Sequence, residues 1–321
     1  MVRFAARRAA LALPVFAGIL VLAFFLVHLF PGDPIVVLAG EYGDAAYYAE
    51  MRAKFGLDRP LPQQFLAYAS AVLRGDLGVS FVQRQPVASV IGARLGGTLL
   101  LTATALLLST TLGIGIGVAA AGRPGSVLDV ATNVAALVLY SVPVFWAGQL
   151  LLIVFALGLS LLPVQGLVSA RADATGIAYA FDVAQHLILP ATALGLSHVA
   201  LIARLTRSAM RRALDEDYAT TARAKGLPDG VVARRHALPN ALLPVVTVVG
   251  AHVGTLLAGA LLVEVVFGWP GLGRLMFDSI TTRDYPVLMA LFMLISAGVV
   301  LANLVTDVLY AVLDARVRLA S

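Results

Sequence analysis

Leu214-Asp-Glu-Asp-Tyr-Ala-Thr-Thr-Ala-Arg-Ala-Lys-Gly226-Leu-Pro-Asp-Gly230-Val-Val-Ala-Arg-Arg-His-Ala-Leu-Pro239-Asn240 is a charged interval set between two apolar runs. Asp217 reads as an N-cap, because a short acidic side chain there accepts from orphan N–H groups of a first helical turn. Residues 218–225 then form a short helix, and Gly226 takes the left-handed C′ position. Pro228-Asp-Gly230 turns the chain. A second short helix has to stop before Pro239, since the residue preceding a proline is pushed out of the helical region. Met210, Leu214 and Tyr218 stand four residues apart, an apolar stripe leading into the unit. Such a hairpin is either a solvated element with a charged face or a docking element for a cytoplasmic partner.

Outward from this interval the chain is apolar. It is 60% hydrophobic and 13% charged over 321 residues, with a mean hydropathy of +0.91. A soluble chain carries about a quarter charged residues, so this composition belongs in lipid. Apolar runs lie near Leu11–Phe30, Thr98–Ala121, Val130–Leu157, His186–Leu205, Ala241–Phe267 and Pro286–Leu309. Each is long enough to cross a hydrocarbon layer of roughly 30 Å, which predicts an all-α polytopic membrane protein of about six transmembrane helices. The first run follows Arg3, Arg7 and Arg8 as a signal peptide would. It is too long for a typical h-region and leads into Pro31-Gly-Asp-Pro34 rather than a small-x-small cleavage site, so it reads as an uncleaved helix. Gly113, Gly115 and Gly117, like Gly254 and Ala258, leave room for close helix contact.

The Lys and Arg residues orient the spans. With the N-terminus inside, the inner segments (1–10, Arg123, 204–238, Arg316 and Arg318) hold 14 of the 23 and are together much shorter than the outer ones. This asymmetry places both termini in the cytoplasm. Residues 1–97 comprise the first span and a long extracytoplasmic segment, expected to carry short amphipathic helices. Residues 98–314 form a five-helix core containing the cytoplasmic interval 205–239, and 315–321 a short cytoplasmic tail.

Several chemistries are excluded. The chain has no cysteine, so disulfides, thiolate catalysis and cysteine metal sites are absent. Neither Lys54 nor Lys225 is preceded by glycine within a P-loop pattern, so ATP hydrolysis has to sit on a partner. No basic stretch is interleaved with stacking aromatics, which argues against nucleic acid. The polar residues within or beside the spans are His28, Gln149, His198, His252, Glu264, Asn303 and Asp307. Buried ionisable groups in lipid are functional candidates because desolvating them is costly. His252 is the most interior, and with Gln149 is a candidate for lining a pore. Glu264 and Asp307 lie near span ends, where water is within reach. No His, Asp and Glu grouping has metal-ligand spacing, and no cofactor is expected.

The charged interval resembles the EAA loop of ABC importer permeases: Glu-Ala-Ala, three residues, Gly, nine residues, then Ile-x-Leu-Pro. Here Gly226 is followed by nine residues and His236-Ala-Leu-Pro239, while Thr220-Thr221-Ala222 stands at the Glu-Ala-Ala positions. Further strings are similar to the B-type subunit of dipeptide and oligopeptide permeases, in that family's order. They are Leu13-Pro14 through Phe30-Pro-Gly-Asp-Pro34, Gly56-Leu-Asp-Arg-Pro60, Arg74-Gly-Asp-Leu-Gly78, Ser141-Val-Pro143 with Phe145-Trp146, Glu264 to Gly273, and Asp307 to Asp314.

The resemblance implies a type I ABC importer permease fold in a bacterial inner membrane, importing dipeptides or oligopeptides. It also implies a second permease subunit, two cytoplasmic ATPases and an extracytoplasmic substrate-binding protein. The ATPase-coupling loop would then comprise Asp217, Tyr218, Ala219, Thr220, Ala222, Ala224, Lys225, Gly226, Leu227, Leu238 and Pro239. The same family resemblance extends to nickel and other small cargo. Two rivals of other classes are an ion-coupled carrier using His252, Glu264 and Asp307 as a proton relay, and an intramembrane protease. The carrier leaves the ordered interval unexplained and the chain shows no obvious inverted repeat. The protease would need paired Ser/His or Asp/Asp groups within the spans, and none stands out.

Overall fold

A computed structural model describes residues 14–25, 44–54, 58–169 and 175–313. His28, Pro31-Gly-Asp-Pro34, the side chains of Asn303 and Asp307, and the tail 315–321 lie outside the described residues. The described residues are helical throughout, joined by turns. In order they are α1 (Pro14–Phe25), α2 (Ala45–Lys54), α3 (Leu61–Leu73), α4 (Val87–Ala121), α5 (Val127–Ser141) and α6 (Val144–Leu151, continued by a π-helix Leu152–Gly158). There follow α7 (Ile177–Asp215), α8 (Asp217–Ala224), α9 (Asp229–Val231, continued by a π-helix Val232–Ala237), α10 (Leu238–Ala251), α11 (Val253–Val266), α12 (Leu272–Thr282) and α13 (Tyr285–Leu313).

Among the described residues, three helices are long and apolar enough to cross a membrane unaided: Val87–Ala121, Ile177–Asp215 and, within α13, Tyr285–Thr306. Two bent pairs bring the number to five, and Pro14–Phe25 is a shorter apolar helix in the first run. The third apolar run is thus not one straight span. α5 and α6 are bent by 105° across Ser141-Val-Pro143. Pro143 cannot donate to a continuing helix and forces Val142 into extended backbone (φ −84°, ψ 124°), so the helix ends and restarts. The fifth run is bent by 50° between α10 and α11, where His252 separates them.

α4 starts at Val87 rather than near Thr98, so the expected boundary at 97/98 falls inside a helix. The helix is extended at its start by Val87, Val90 and Ile91, which are buried against Leu272, Leu275 and Met276 of α12. α4 packs along α7 through small residues: a Cβ at Gly117 would lie 2.5 Å from the Ala203 carbonyl oxygen, and one at Gly113 2.7 Å from Ile202 Cβ. Gly254 similarly faces Val299, whereas Gly115 faces open space and has no such role. Close backbone approach raises the number of dispersion contacts, which is what holds helices together where no hydrophobic effect acts.

Two short helices, α2 and α3, lie between the first apolar run and α4. α3 buries no residue fully and rests on its neighbours through Phe65, edge-to-face on Phe24 at 5.4 Å, and the Tyr68 hydroxyl, 3.3 Å from Met293 Sδ. Burial pushes the Tyr68 phenol up to about 12, so it remains a neutral donor at physiological pH. Residues 76–86 then form a tight turn with a bridge between Val79 and Pro86. Asp284, buried just before α13, accepts from the Ser80 hydroxyl and from Phe81 N at 3.0 Å, tying this turn to the last span.

Candidate functional site

The hairpin of residues 216–237 stands on the end of α7. Glu216, not Asp217, is the N-cap of α8, with extended backbone (φ −73°, ψ 154°) and no side-chain cap bond. Asp217 instead supplies negative charge to the first turn, where the helix dipole favours it. Gly226 has φ +81° and closes α8 as expected. Gly226 N donates to Arg223 O at 2.9 Å and Leu227 N to Ala222 O at 3.3 Å, the two bonds of a Schellman turn. A Cβ at Gly226 would meet nothing within 4 Å, so its glycine is required by backbone conformation alone.

A small core holds the hairpin: Ala219, Ala222 and Val232 are buried against Leu214. Arg223 braces it, donating from one guanidinium nitrogen to Leu214 O and from another to Asp229 Oδ1, both at 3.1 Å. The expected apolar stripe does not run through: Met210 is buried, Leu214 half-buried, and Tyr218 exposed on the far side of the break at Glu216. Tyr218, Leu227 and Val231 are large apolar residues left outward, beside exposed Thr220, Ala224 and Lys225. The hairpin's outer face is therefore apolar at three points with charge around it.

The second helix does not stop before Pro239. The chain is helical from Asp229 to Ala251, with Pro239 in the first turn of α10 and Leu238 itself helical (φ −58°, ψ −45°). The π-helix Val232–Ala237 just upstream accounts for this. Its wider turn moves carbonyls out of the i−4 position that a proline ring would strike, and proline's missing N–H leaves no donor stranded. Leu238 is consequently half-buried and Pro239 exposed on a helix leading into the fifth span.

Three polar groups form a second centre. Glu264 is fully buried, not water-exposed as its place near a span end suggested. Its Oε2 accepts from Gly273 N at 2.6 Å and Arg274 N at 3.1 Å, and its Oε1 accepts from the Thr98 hydroxyl at 2.6 Å. Thr98 Oγ1 in turn accepts from Leu272 N at 2.7 Å. The first three N–H groups of α12 are thus satisfied by two side chains, and the carboxylate meets a helix N-terminus. Trp269, fully buried, donates its indole N–H to Gly97 O at 2.8 Å. Gly271 admits no side chain, because a Cβ would overlap the Glu264 carboxylate.

Two further pairings escaped sequence reasoning. Asp129, near the start of α5, accepts from Gly125 N at 2.9 Å and forms a bidentate pair with Arg207 of α7, one limb at 2.9 Å. His198 and His252 meet edge-to-face with ring centroids 5.4 Å apart. Gln149 is exposed on α6. The Asp129 pair left a faint signal, since Ser126 followed by Asp129 marks a helix start. The histidine pair left none.

The described residues form a bundle of straight and bent apolar helices with a helical hairpin standing on the end of α7. The chain belongs to the family described as binding-protein-dependent transport system inner membrane component: that family's model matches residues 113–319, and its N-terminal companion residues 1–102. It is 43% identical over 336 residues to the dipeptide transport system permease protein DppB of Escherichia coli K12, covering 99% of both chains. It is 42% identical to the di/tripeptide permease protein DppB of Pseudomonas aeruginosa and 41% identical to the glutathione permease protein GsiC of Salmonella choleraesuis, each at 99% coverage of both chains. Among solved structures, the inward-facing MetNI methionine ABC transporter matches at a TM-score of 0.55 and 17% identity, over 70% of this chain and 96% of that one. That likeness shares the fold.

Proposed function

We propose that this chain is one of two channel-forming subunits of an ATP-driven importer for dipeptides or longer peptides, with both termini and the hairpin in the cytoplasm. The observation that carries the reading is end-to-end identity above 40% to permease proteins named for dipeptide, di/tripeptide and glutathione transport. The hairpin supports it: three outward apolar side chains, Tyr218, Leu227 and Val231, on a small rigid unit suit a groove on a cytoplasmic ATPase. The coupling residues are Asp217, Tyr218, Ala219, Thr220, Ala222, Ala224, Lys225, Gly226 and Leu227, with Leu238 and Pro239 joining the hairpin to the fifth span. A second, similar permease completes the path, and a binding protein delivers cargo from outside. ATP drives the switch between inward and outward access because the ATPases grip the hairpin differently in their two states.

Partner dependence tests this reading. Purified alone in liposomes, the chain should neither hydrolyse ATP nor accumulate peptide. The complete complex with the second permease, both ATPases and the binding protein should do both, with a cysteine placed at position 229 on the ATPase side. Proton-driven uptake by the isolated chain would overturn the reading in favour of a secondary carrier.

A further inference from the structure

Both histidines of the pair lie well inside apolar runs, His198 in the fourth span and His252 at the bend between α10 and α11. Neither is buried by its own subunit, and Thr255 beside them is exposed. On α7, Leu196, Ser197, His198 and Val199 are all half-buried, immediately after a stretch, Leu189 to Gly195, in which all but one residue is buried. Imidazoles and hydroxyls turned towards lipid at this depth are costly, so this face borders either a partner helix or water. For a subunit read as supplying half of a path, a water-lined path is the surrounding that gives these polar groups a use.

The hydrogen bonds fix what the cluster offers. Thr255 Oγ1 donates to His252 O at 2.8 Å, which leaves its oxygen only lone pairs. With the hydroxyl proton so placed, the His252 tautomer that completes the contact with that oxygen, 3.1 Å away, carries its proton on Nδ1. His198 is held by Ser197 Oγ, 3.3 Å from its Nδ1, and points its Nε2 at the same Thr255 oxygen from 3.5 Å. The remaining nitrogen, His252 Nε2, carries a lone pair in the neutral ring.

We propose that His252, oriented by Thr255 and backed by His198, is a cargo-binding station on the translocation path, accepting a hydrogen bond from an N–H group of the passing peptide. This rests on the peptide-importer reading. A single acceptor at a helix bend suits a transport path, where a site has to be weak enough to release what it holds. The bend gives the station a reason to change with access state, because His252 is the residue at which α10 and α11 alter direction.

The test uses the complete complex in liposomes, comparing wild type with His252→Leu and His252→Gln. Peptide taken up per ATP hydrolysed is measured together with the binding-protein-stimulated ATPase rate. His252→Leu should lower peptide per ATP by about three- to tenfold, the range one neutral hydrogen bond accounts for, while the ATPase rate holds. His252→Gln, whose amide oxygen restores an acceptor, should recover most of it. An unchanged ratio in His252→Leu would overturn the proposal. So would equal losses in both variants, or a joint fall of ATPase rate and protein abundance, which would mark a packing role at the bend. Failure of the wild-type complex to take up peptide would instead overturn the function proposed above.

Discussion

Glu264 and the hairpin of residues 216–237 are both polar, yet they are built on opposite principles. Around Glu264 every donor is matched: a threonine from α4, two backbone N–H groups of α12 and, close by, the Trp269 indole on Gly97 converge on a site that water does not reach. The hairpin has a core of two alanines and a valine, one Schellman turn and an arginine brace, and its remaining surface faces outward. The first arrangement locks spans to one another. The second has its own small core and joins the bundle at its base, where Ala237 is buried with Ala209, Met210, Ala213 and Ala241. Acidic and basic residues therefore do not mark function in this membrane protein by themselves. What distinguishes the two regions is whether the polar groups are consumed internally or left available.

Substitutions can break that contrast. The largest effect is expected from Glu264→Ala, which leaves the Thr98 hydroxyl and the N–H groups of Gly273 and Arg274 buried without an acceptor. The cost is about 3 kcal/mol or more, a large share of a typical stability. Membrane abundance and melting temperature in detergent should both fall, with Glu264→Gln intermediate because it keeps one carbonyl oxygen. Wild-type abundance and melting for the alanine variant would show that the buried cluster is not what holds these spans.

An intermediate effect, confined to transport, is expected from Gly226→Val. The valine meets no neighbour, so the penalty is backbone strain in the left-handed region, about 1–2 kcal/mol, spent inside the hairpin. Abundance should stay near normal while ATPase copurification and peptide uptake drop severalfold. Normal uptake with normal ATPase association would remove the docking role, and loss of the protein itself would erase the contrast with Glu264.

The smallest effect sharpens the comparison from below. Asp229 pairs with Arg223 at the surface, its side chain 87% exposed, where an ion pair contributes little. Asp229→Asn should leave abundance, ATPase association and uptake within error of wild type, since Arg223 keeps its bond to Leu214 O. A large uptake defect there, measured in parallel with Gly226→Val, would mean that a partner reads the Asp229 charge directly.

The sequence by itself determined what depends on neighbours along the chain. Apolar runs located the spans, because lipid demands that a crossing segment satisfy its own backbone and bury no charge. Gly226 was legible for the same reason: a left-handed residue after a short helix is a local requirement. Pro143 and Pro239 show where local reading fails. One broke a span that had been read as continuous, and the other was absorbed by a π-helix that no residue pattern announces. Tertiary structure alone decided the rest. Glu264 takes its partners from α12 and from Thr98, Asp129 finds Arg207, Asp284 finds Ser80, and His198 finds His252. A hydrogen bond depends on distance and direction in space, and sequence spacing carries neither once the partners stand on different helices.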